Sequence, residues 1–332
     1  MNAGPVDIHT HVVPESFPEL PGPDAGAYWP SMVAQGCSHN ILIDGRVYRK
    51  VDNRCWNCER RQSDMTESRT GVQVLSPMPE LFSYWMEIGH AKTLVRYINE
   101  YTAKLVAEGD GKFVGLAGVP LQDVHAAIDE LMYTRIDLGM AGVEIGTNVN
   151  GKPLGDPEFE PFFAAAASVG AAIFVHPIRP AGMERLIGPP NLEQLVAFPG
   201  ETGLCAMSLI TSGIMRKFPD LRIAFSHGGG TLSMLLPRLA HGRQRFPKVQ
   251  ALLNENPIET ARKFFYDTLV YDEATLRRLI DVFGDTQLVI GTDYPFDIKE
   301  DDPVGMIEKL GLEPEARERL LTQNARRWLA QE

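Results

Sequence analysis

No stretch of this chain approaches the roughly 18 consecutive apolar residues that a membrane-spanning helix needs, and the first residues lack the cationic, apolar pattern of a secretory leader. Cysteine is scarce, four in 332 residues, which excludes a disulfide-built scaffold. Cys55 and Cys58 form a CxxC with no second pair to complete a zinc site, so a reducing, cytoplasmic setting is expected. Positive charge is also in deficit. Lys and Arg number 32 against 43 Asp and Glu, a formal net charge of -11 that argues against nucleic acid and anionic membrane as partners. A phosphate-binding glycine loop is missing too: His227-Gly228-Gly229-Gly230 has neither the GxGxxG spacing nor a P-loop lysine. What is present is an ordinary soluble composition, long enough for one large domain or two ordinary ones.

The chain repeats a short apolar strand followed by a helical stretch. Strands are expected at Val6–His11, Gly71–Ser76, Phe113–Pro120, Gly142–Gly146, Ala171–His176, Arg222–His227, Phe264–Val270 and Leu288–Asp293. Between them, Ala91–Glu108, Val124–Leu138, Glu158–Val169, Ala206–Lys217, Thr231–Arg245, Glu273–Phe283 and Glu313–Ala330 have helical spacing. Strands this uniformly apolar suit a parallel sheet covered on both faces. Eight strand–helix repeats predict a single (β/α)8 TIM-type barrel over residues 1–332, with its active site at the C-terminal strand ends. A doubly wound open sheet is the alternative, and it lacks the expected glycine turn after its first strand.

One stretch breaks the alternation. A Pro- and Gly-rich segment is followed by Asn40–Arg49, whose apolar alternation around Asp44-Gly45 predicts a β-hairpin. Residues 12–58 are therefore expected to form a flap inserted after the first strand. Residues 46–61 hold Arg46, Arg49, Lys50, Arg54, Arg60 and Arg61 against only Asp52 and Glu59, a local basic patch suited to capturing a carboxylate, although for most of these six a solvated charged loop is the stronger reading.

In Val6-Asp7-Ile8-His9-Thr10-His11, strand alternation puts His9 and His11 on one face and Ile8 and Thr10 on the other. His176, His227 and Asp293 each close a predicted strand. A lone strand histidine is more often a satisfied core residue than a ligand. Four such strand ends around one barrel mouth form a constellation. His9, His11, His176 and Asp293 provide an imidazole and carboxylate donor set that suits Zn2+, with Mn2+ or Fe2+ also compatible. His227 is then either a support behind the ligands or the general base that takes a proton from metal-bound water to give hydroxide. Glu144, inside the fourth strand, either lines the barrel or faces a helix. His39, His90, His125 and His241 have no strand-end setting and receive no role.

Taken together, DIHTH, DGRVYRKVDNRCW, LFSYW (Leu81–Trp85), FVGLAGVPLQ, GVEIGTNVN, FVHP, FSHGGG and IGTDYPF resemble the amidohydrolase superfamily. Within it they are most similar to the metal-dependent decarboxylase branch, the 2-amino-3-carboxymuconate 6-semialdehyde decarboxylases. The resemblance implies a zinc-dependent, non-oxidative decarboxylase of an unsaturated or aromatic-ring-cleavage acid, with Asp293 and His227 catalytic. It implies that Arg49 binds a substrate carboxylate, beside Phe82 and Trp85 of LFSYW. It also implies that Arg238 reaches the active site of a neighbouring subunit in a homodimer. A zinc hydrolase of lactone, C–N or C–C bonds on the same scaffold is the alternative. Where the family has His-Pro-Trp-Asp this chain has His176-Pro177-Ile178-Arg179, and a later tryptophan is replaced near Gln194. Arg179 is therefore expected to meet an extra or relocated anionic group on the substrate.

Overall fold

Eight runs of Val, Ile, Ala and Phe become eight parallel strands: Val6–Val12, Val72–Pro77, Phe113–Ala117, Gly142–Gly146, Ala172–His176, Arg222–Phe225, Phe265–Asp267 and Leu288–Val289. They are hydrogen-bonded neighbours in chain order. Bridges Asp7–Ile290 and Thr10–Tyr294 close the last strand onto the first. The structure, a computed structural model, describes residues 4–20, 29–36 and 38–331. The result is the expected barrel.

Two apolar layers hold it. Outward-facing Val143, Ile145, Ile173, Val175 and Ile223 pack against helix residues such as Leu209 and Leu279. The helix Glu273–Phe283 shows how: Leu276, Leu279 and Phe283 recur at helical spacing and are buried, and Asp272 caps it by accepting from the Thr275 backbone N–H at 2.8 Å. Inside, Val6, Val72, Val74, Ala172, Phe174 and Ala224 form a floor with Trp328 of the C-terminal helix. Trp328 Nε1 donates to the Arg222 carbonyl at 3.1 Å, pinning that helix across the N-terminal end of the barrel. Burial of such large side chains is worth about 2–3 kcal/mol each.

One expectation is corrected here. The stretch expected at Ala206–Lys217 starts earlier, at Phe198, and stops at Ser212, because Gly213 takes φ 72 and ends the helix; Ile214–Lys217 is a separate turn. The helical run Glu193–Ser212, 20 residues, reaches a mean hydropathy of 1.2, but Glu193 and Glu201 interrupt its apolar residues. In the fold it is a wall helix. Cys205, Ala206, Leu209 and Ile210 face the barrel core, and buried Glu201 accepts from Asn148 Nδ2 and the Ala181 N–H.

The flap is a three-stranded antiparallel sheet, Ser31–Gln35, Ser38–Ile43 and Arg46–Val51, one strand more than the expected hairpin. Its tight turn has Asp44 at φ 53 and Gly45 at φ 67, as a two-residue hairpin requires. Fully buried Ile41 anchors it among Val13, Cys55 and Leu81. Residues 21–28 and Cys37, within the expected flap, lie outside the described residues. Cys55, Cys58 and Cys205 are free thiols.

Candidate metal centre

Between Asp7 and Thr10 the first strand slips by one residue against its neighbour. A bulge of this kind re-aims side chains next to functional sites. It corrects the simple alternation expected of this strand, because Ile8 packs with Val6 and Phe174 in the floor rather than opposite the histidines. His9 and His11, both fully buried, converge with their Nε2 atoms 3.1 Å apart. His9 Nδ1 faces Asp267 and His11 Nδ1 faces the Pro77 carbonyl, so with the Nδ1 protons there both Nε2 atoms turn lone pairs toward each other, an approach a shared cation would satisfy.

His176 and Asp293 complete the cluster. One donor atom from each of His9, His11, His176 and Asp293 lies within 4.8 Å of the others, and all four residues are buried. Asp293 Oδ1 faces His11 Nε2 at 3.0 Å and His9 Nε2 at 3.5 Å. His176 Nδ1 donates to the Pro177 carbonyl at 2.9 Å, which leaves Nε2 buried with no partner and free to ligate. Asp293 holds φ 66, a left-handed backbone that is costly for a non-glycine residue and aims its carboxylate inward. Protonation states agree with ligation. Burial pushes His11 down to about 4 and His176 well down. Burial alone would raise Asp293, but the hydrogen bond with His11 and the surrounding histidines bring it to about 2. Neutral imidazoles, as at His11 and His176, and an ionised carboxylate are the forms a divalent metal needs, while His9, pushed up by its carboxylate neighbours, would give up a proton on ligation. The donor set fits a zinc, manganese or ferrous ion.

Behind these residues lies a supporting layer that the sequence reasoning missed. Asp267, at the end of the seventh strand, accepts from His9 Nδ1 at 2.7 Å, from the Gly228 N–H at 2.7 Å and from the Leu269 N–H at 3.1 Å. This fixes the His9 tautomer with Nε2 toward the cluster. Burial opposes charge on His9, yet Asp267 and Asp293 outweigh it and push the ring up. Gly291 makes room for the contact, since a Cβ there would meet Asp267 Cβ at 2.6 Å and His9 Cβ at 2.9 Å. His11 Nδ1 lies 3.3 Å from the Pro77 carbonyl and 3.8 Å from Glu144 Oε1. Glu144 thus lines the barrel interior. It is fully buried, and burial outweighs the nearby Ser76 hydroxyl and pushes its carboxyl well up, toward the neutral acid.

Arg61 is the other missed support. Counted in sequence as one of the basic-patch cations, it is fully buried and donates to the His11 carbonyl at 2.9 Å, the Arg54 carbonyl at 3.0 Å, Thr10 Oγ1 at 3.0 Å and Gln73 Oε1 at 3.1 Å. Its guanidinium also stacks 4.8 Å from the Tyr294 ring centroid. Of the other patch residues, Arg54 pairs with Asp52 and Arg60 with Asp64, while Arg46 and Lys50 face solvent.

Above the cluster is a cavity of about 330 Å3 that His176, Asp293, His227 and Arg49 all line. His227 follows the sixth strand at φ 54, its ring centroid 5.2 Å from that of His176 and 5.4 Å from that of His9. Burial pushes it down to about 4, so near neutrality the ring is neutral and keeps a lone pair to offer in the cavity. Its Nδ1 lies 3.3 Å from Ser226 Oγ. Arg49 reaches in from the flap with its guanidinium 4.1 Å from the Phe296 centroid, and Phe296 stacks on His11 at 5.2 Å.

The remaining expected substrate contacts lie elsewhere. Phe82 is buried and stacked on Tyr84, and Trp85 lies under the Arg179 guanidinium at 3.2 Å; none of these four lines the cavity. Arg179, at φ 42, pairs with Glu80 at 3.3 Å, so the expected meeting with a substrate anion would require breaking that pair. Arg238 is exposed on the helix Leu232–Arg245, away from this cavity.

The sequence profile of the amidohydrolase family matches residues 6–330. The chain is 36% identical over 309 residues to 2-amino-3-carboxymuconate-6-semialdehyde decarboxylase of Dictyostelium discoideum, covering 92% of this chain and 85% of that protein. The apo crystal structure of Metarhizium anisopliae IDCase superposes with a TM-score of 0.82 at 21% identity, covering 99% of this chain and 98% of that one. A dihydroxybenzoic acid decarboxylase from Polaromonas sp., solved with bound manganese and 2-nitroresorcinol, gives a TM-score of 0.76 at 20% identity over 99% and 97% of the two chains. With barrel, donor cluster and these likenesses together, the chain belongs to the amidohydrolase family, in its metal-dependent decarboxylase branch.

Proposed function

We propose that this protein is a metal-dependent, non-oxidative decarboxylase of an unsaturated or aromatic-ring-cleavage carboxylic acid, of the class of 2-amino-3-carboxymuconate 6-semialdehyde. The observation that carries the reading is the cavity itself: three imidazoles and a carboxylate converge at its base, with a neutral histidine and a flap arginine on its walls. The activity named for the D. discoideum relative supports the same class of acid.

Losing carbon dioxide leaves an electron pair on the carbon that carried it, so the site must provide an electron sink and a proton. A zinc, manganese or ferrous ion held by His9, His11, His176 and Asp293 would supply Lewis-acid polarisation and lower the pKa of a water molecule. Zinc is the ion we assign first, with manganese, present in the Polaromonas structure, as the nearest competitor. Arg49 would grip a substrate carboxylate through paired N–H donors, its plane held by Phe296. With Nδ1 facing Ser226, His227 would exchange a proton through Nε2. Apolar walls from Met78, Phe198, Leu269 and Phe296 would exclude bulk water and strengthen each of these interactions.

The active unit we propose is a cytoplasmic homodimer in which Arg238 reaches the neighbouring site. Beside Arg238, Met234 is 70% exposed and Leu235 41%, and Leu204 on the adjoining helix is 59% exposed, an apolar patch fit for a partner. The test of function is to supply freshly generated 2-amino-3-carboxymuconate 6-semialdehyde and follow its absorbance together with released carbon dioxide. One carbon dioxide per substrate consumed is expected. Consumption without carbon dioxide, with a product that has gained water, would replace this reading by the hydrolase one.

A further inference from the structure

Where Glu193–Ala197 leads into the helix Phe198–Ser212, the backbone makes a π-helical turn, with the Phe198 N–H donating to the Glu193 carbonyl five residues back. The cause is local. An α-helix would need residue 199 to donate to the Leu195 carbonyl, and Pro199 has no N–H to give, so the turn widens. Widened turns of this kind recur at functional sites because they re-aim side chains. Here Gln194, Leu195, Phe198 and Pro199 all reach the cavity wall.

Among these four, Gln194 alone carries a polar side chain. Its amide has no hydrogen-bond partner among the described residues; of the charged groups around this wall, Arg179 and Glu80 pair with each other, and Glu193 lies in the field of Arg49 and Arg179. A primary amide offers both a donor and an acceptor and carries no charge. It therefore matches a neutral polar substituent, a hydroxyl or a carbonyl, better than a second carboxylate.

We infer that Gln194 is a specificity-determining residue whose side-chain amide hydrogen-bonds a hydroxyl or carbonyl substituent of the acid, at a point separate from the carboxylate grip of Arg49. This rests on the acid-binding part of the function proposed above. It also moves the recognition of the substrate's extra polar group from Arg179 to Gln194. Such a site rejects an analogue lacking the group, because the amide is then left unpaired in a partly closed cavity.

The test uses binding, so that it stands apart from turnover. Manganese-loaded enzyme is titrated calorimetrically with benzoate and with 2-, 3- and 4-hydroxybenzoate, in the wild type, in Gln194→Leu and in Gln194→Met. Circular dichroism and metal content verify each variant, and the second variant guards against poor folding of the first. We expect at least one hydroxybenzoate to bind the wild type about 5- to 10-fold tighter than benzoate. Both variants should erase that advantage while leaving benzoate within about twofold. The inference is overturned if no isomer gains over benzoate, if the gain survives in the variants, or if benzoate weakens as much as the hydroxybenzoates. Decarboxylation by the same wild-type preparation is measured separately. Its failure would remove the reaction without touching the hydroxyl–amide coupling, and absence of any acid binding would remove the acid-binding site itself.

Discussion

His9 is oriented by Asp267, 258 positions further along the chain. At the scale of single residues, this kind of pairing divides what was visible in the sequence from what was not. The strand-end histidines and Asp293 stood out because polar ligating groups interrupt apolar runs. Asp267 also ends a strand, but nothing in FYDTLV marks it as the partner of a particular ring. Its removal should act through His9: Asp267→Asn is expected to weaken metal affinity about 10- to 100-fold, measured by chelator competition. His227→Ala should instead leave metal content unchanged and lower turnover by about 10^2- to 10^4-fold, since the ring is a proton acceptor rather than a ligand. Parallel loss of metal in that variant would place His227 among the ligands.

Among the elements, the barrel strands were readable because burial on both faces demands uninterrupted Val, Ile, Ala and Phe, and the hairpin because Asp44-Gly45 tolerates positive φ. The third flap strand, Ser31–Gln35, is short and mostly exposed, and it has no clear apolar alternation to announce it. The bulge in the first strand was equally hidden, since it is a property of pairing rather than of composition. Arg61 ties these elements together: it bonds the carbonyl of metal-strand His11 and the carbonyl of Arg54 at the root of the flap. Replacing it with Met would leave several buried acceptors unmatched, at about 1–3 kcal/mol each. A fall in urea stability of a few kcal/mol is expected, with faster backbone hydrogen exchange through residues 46–56. Unchanged exchange in the flap would confine Arg61 to the barrel.

At the scale of the whole molecule, an acidic protein concentrates its useful positive charge in one guanidinium above a buried cluster of histidines. That cluster makes the metal-free fold sensitive to acid. His11 and His227 are held at about 4, against an ordinary 6.5. Between those values the unfolded chain binds protons that the folded chain does not at His11, His227 and the likewise depressed His176. Buried Asp7, pushed up to about 7, and Glu144, pushed well up, instead keep protons the unfolded chain has lost. Three rings against two carboxyls leave a smaller net rise of stability with pH across the window. The urea midpoint of the metal-stripped protein should fall from pH 6.5 toward about 4, and a bound divalent ion should raise it throughout. A midpoint that is flat or that rises on acidification across that window would contradict this balance of three depressed rings against two raised carboxyls.

The most direct measurement is a titration of metal-stripped enzyme with zinc or manganese, following carbon dioxide released from 2-amino-3-carboxymuconate 6-semialdehyde at each step. Activity should rise in proportion to bound metal, level off at one ion per chain, and be about 10^2- to 10^4-fold lower in His227→Ala at full occupancy. Carbon dioxide release that is independent of metal, or that is undiminished in His227→Ala, would contradict the assignment of this cluster as the catalytic centre.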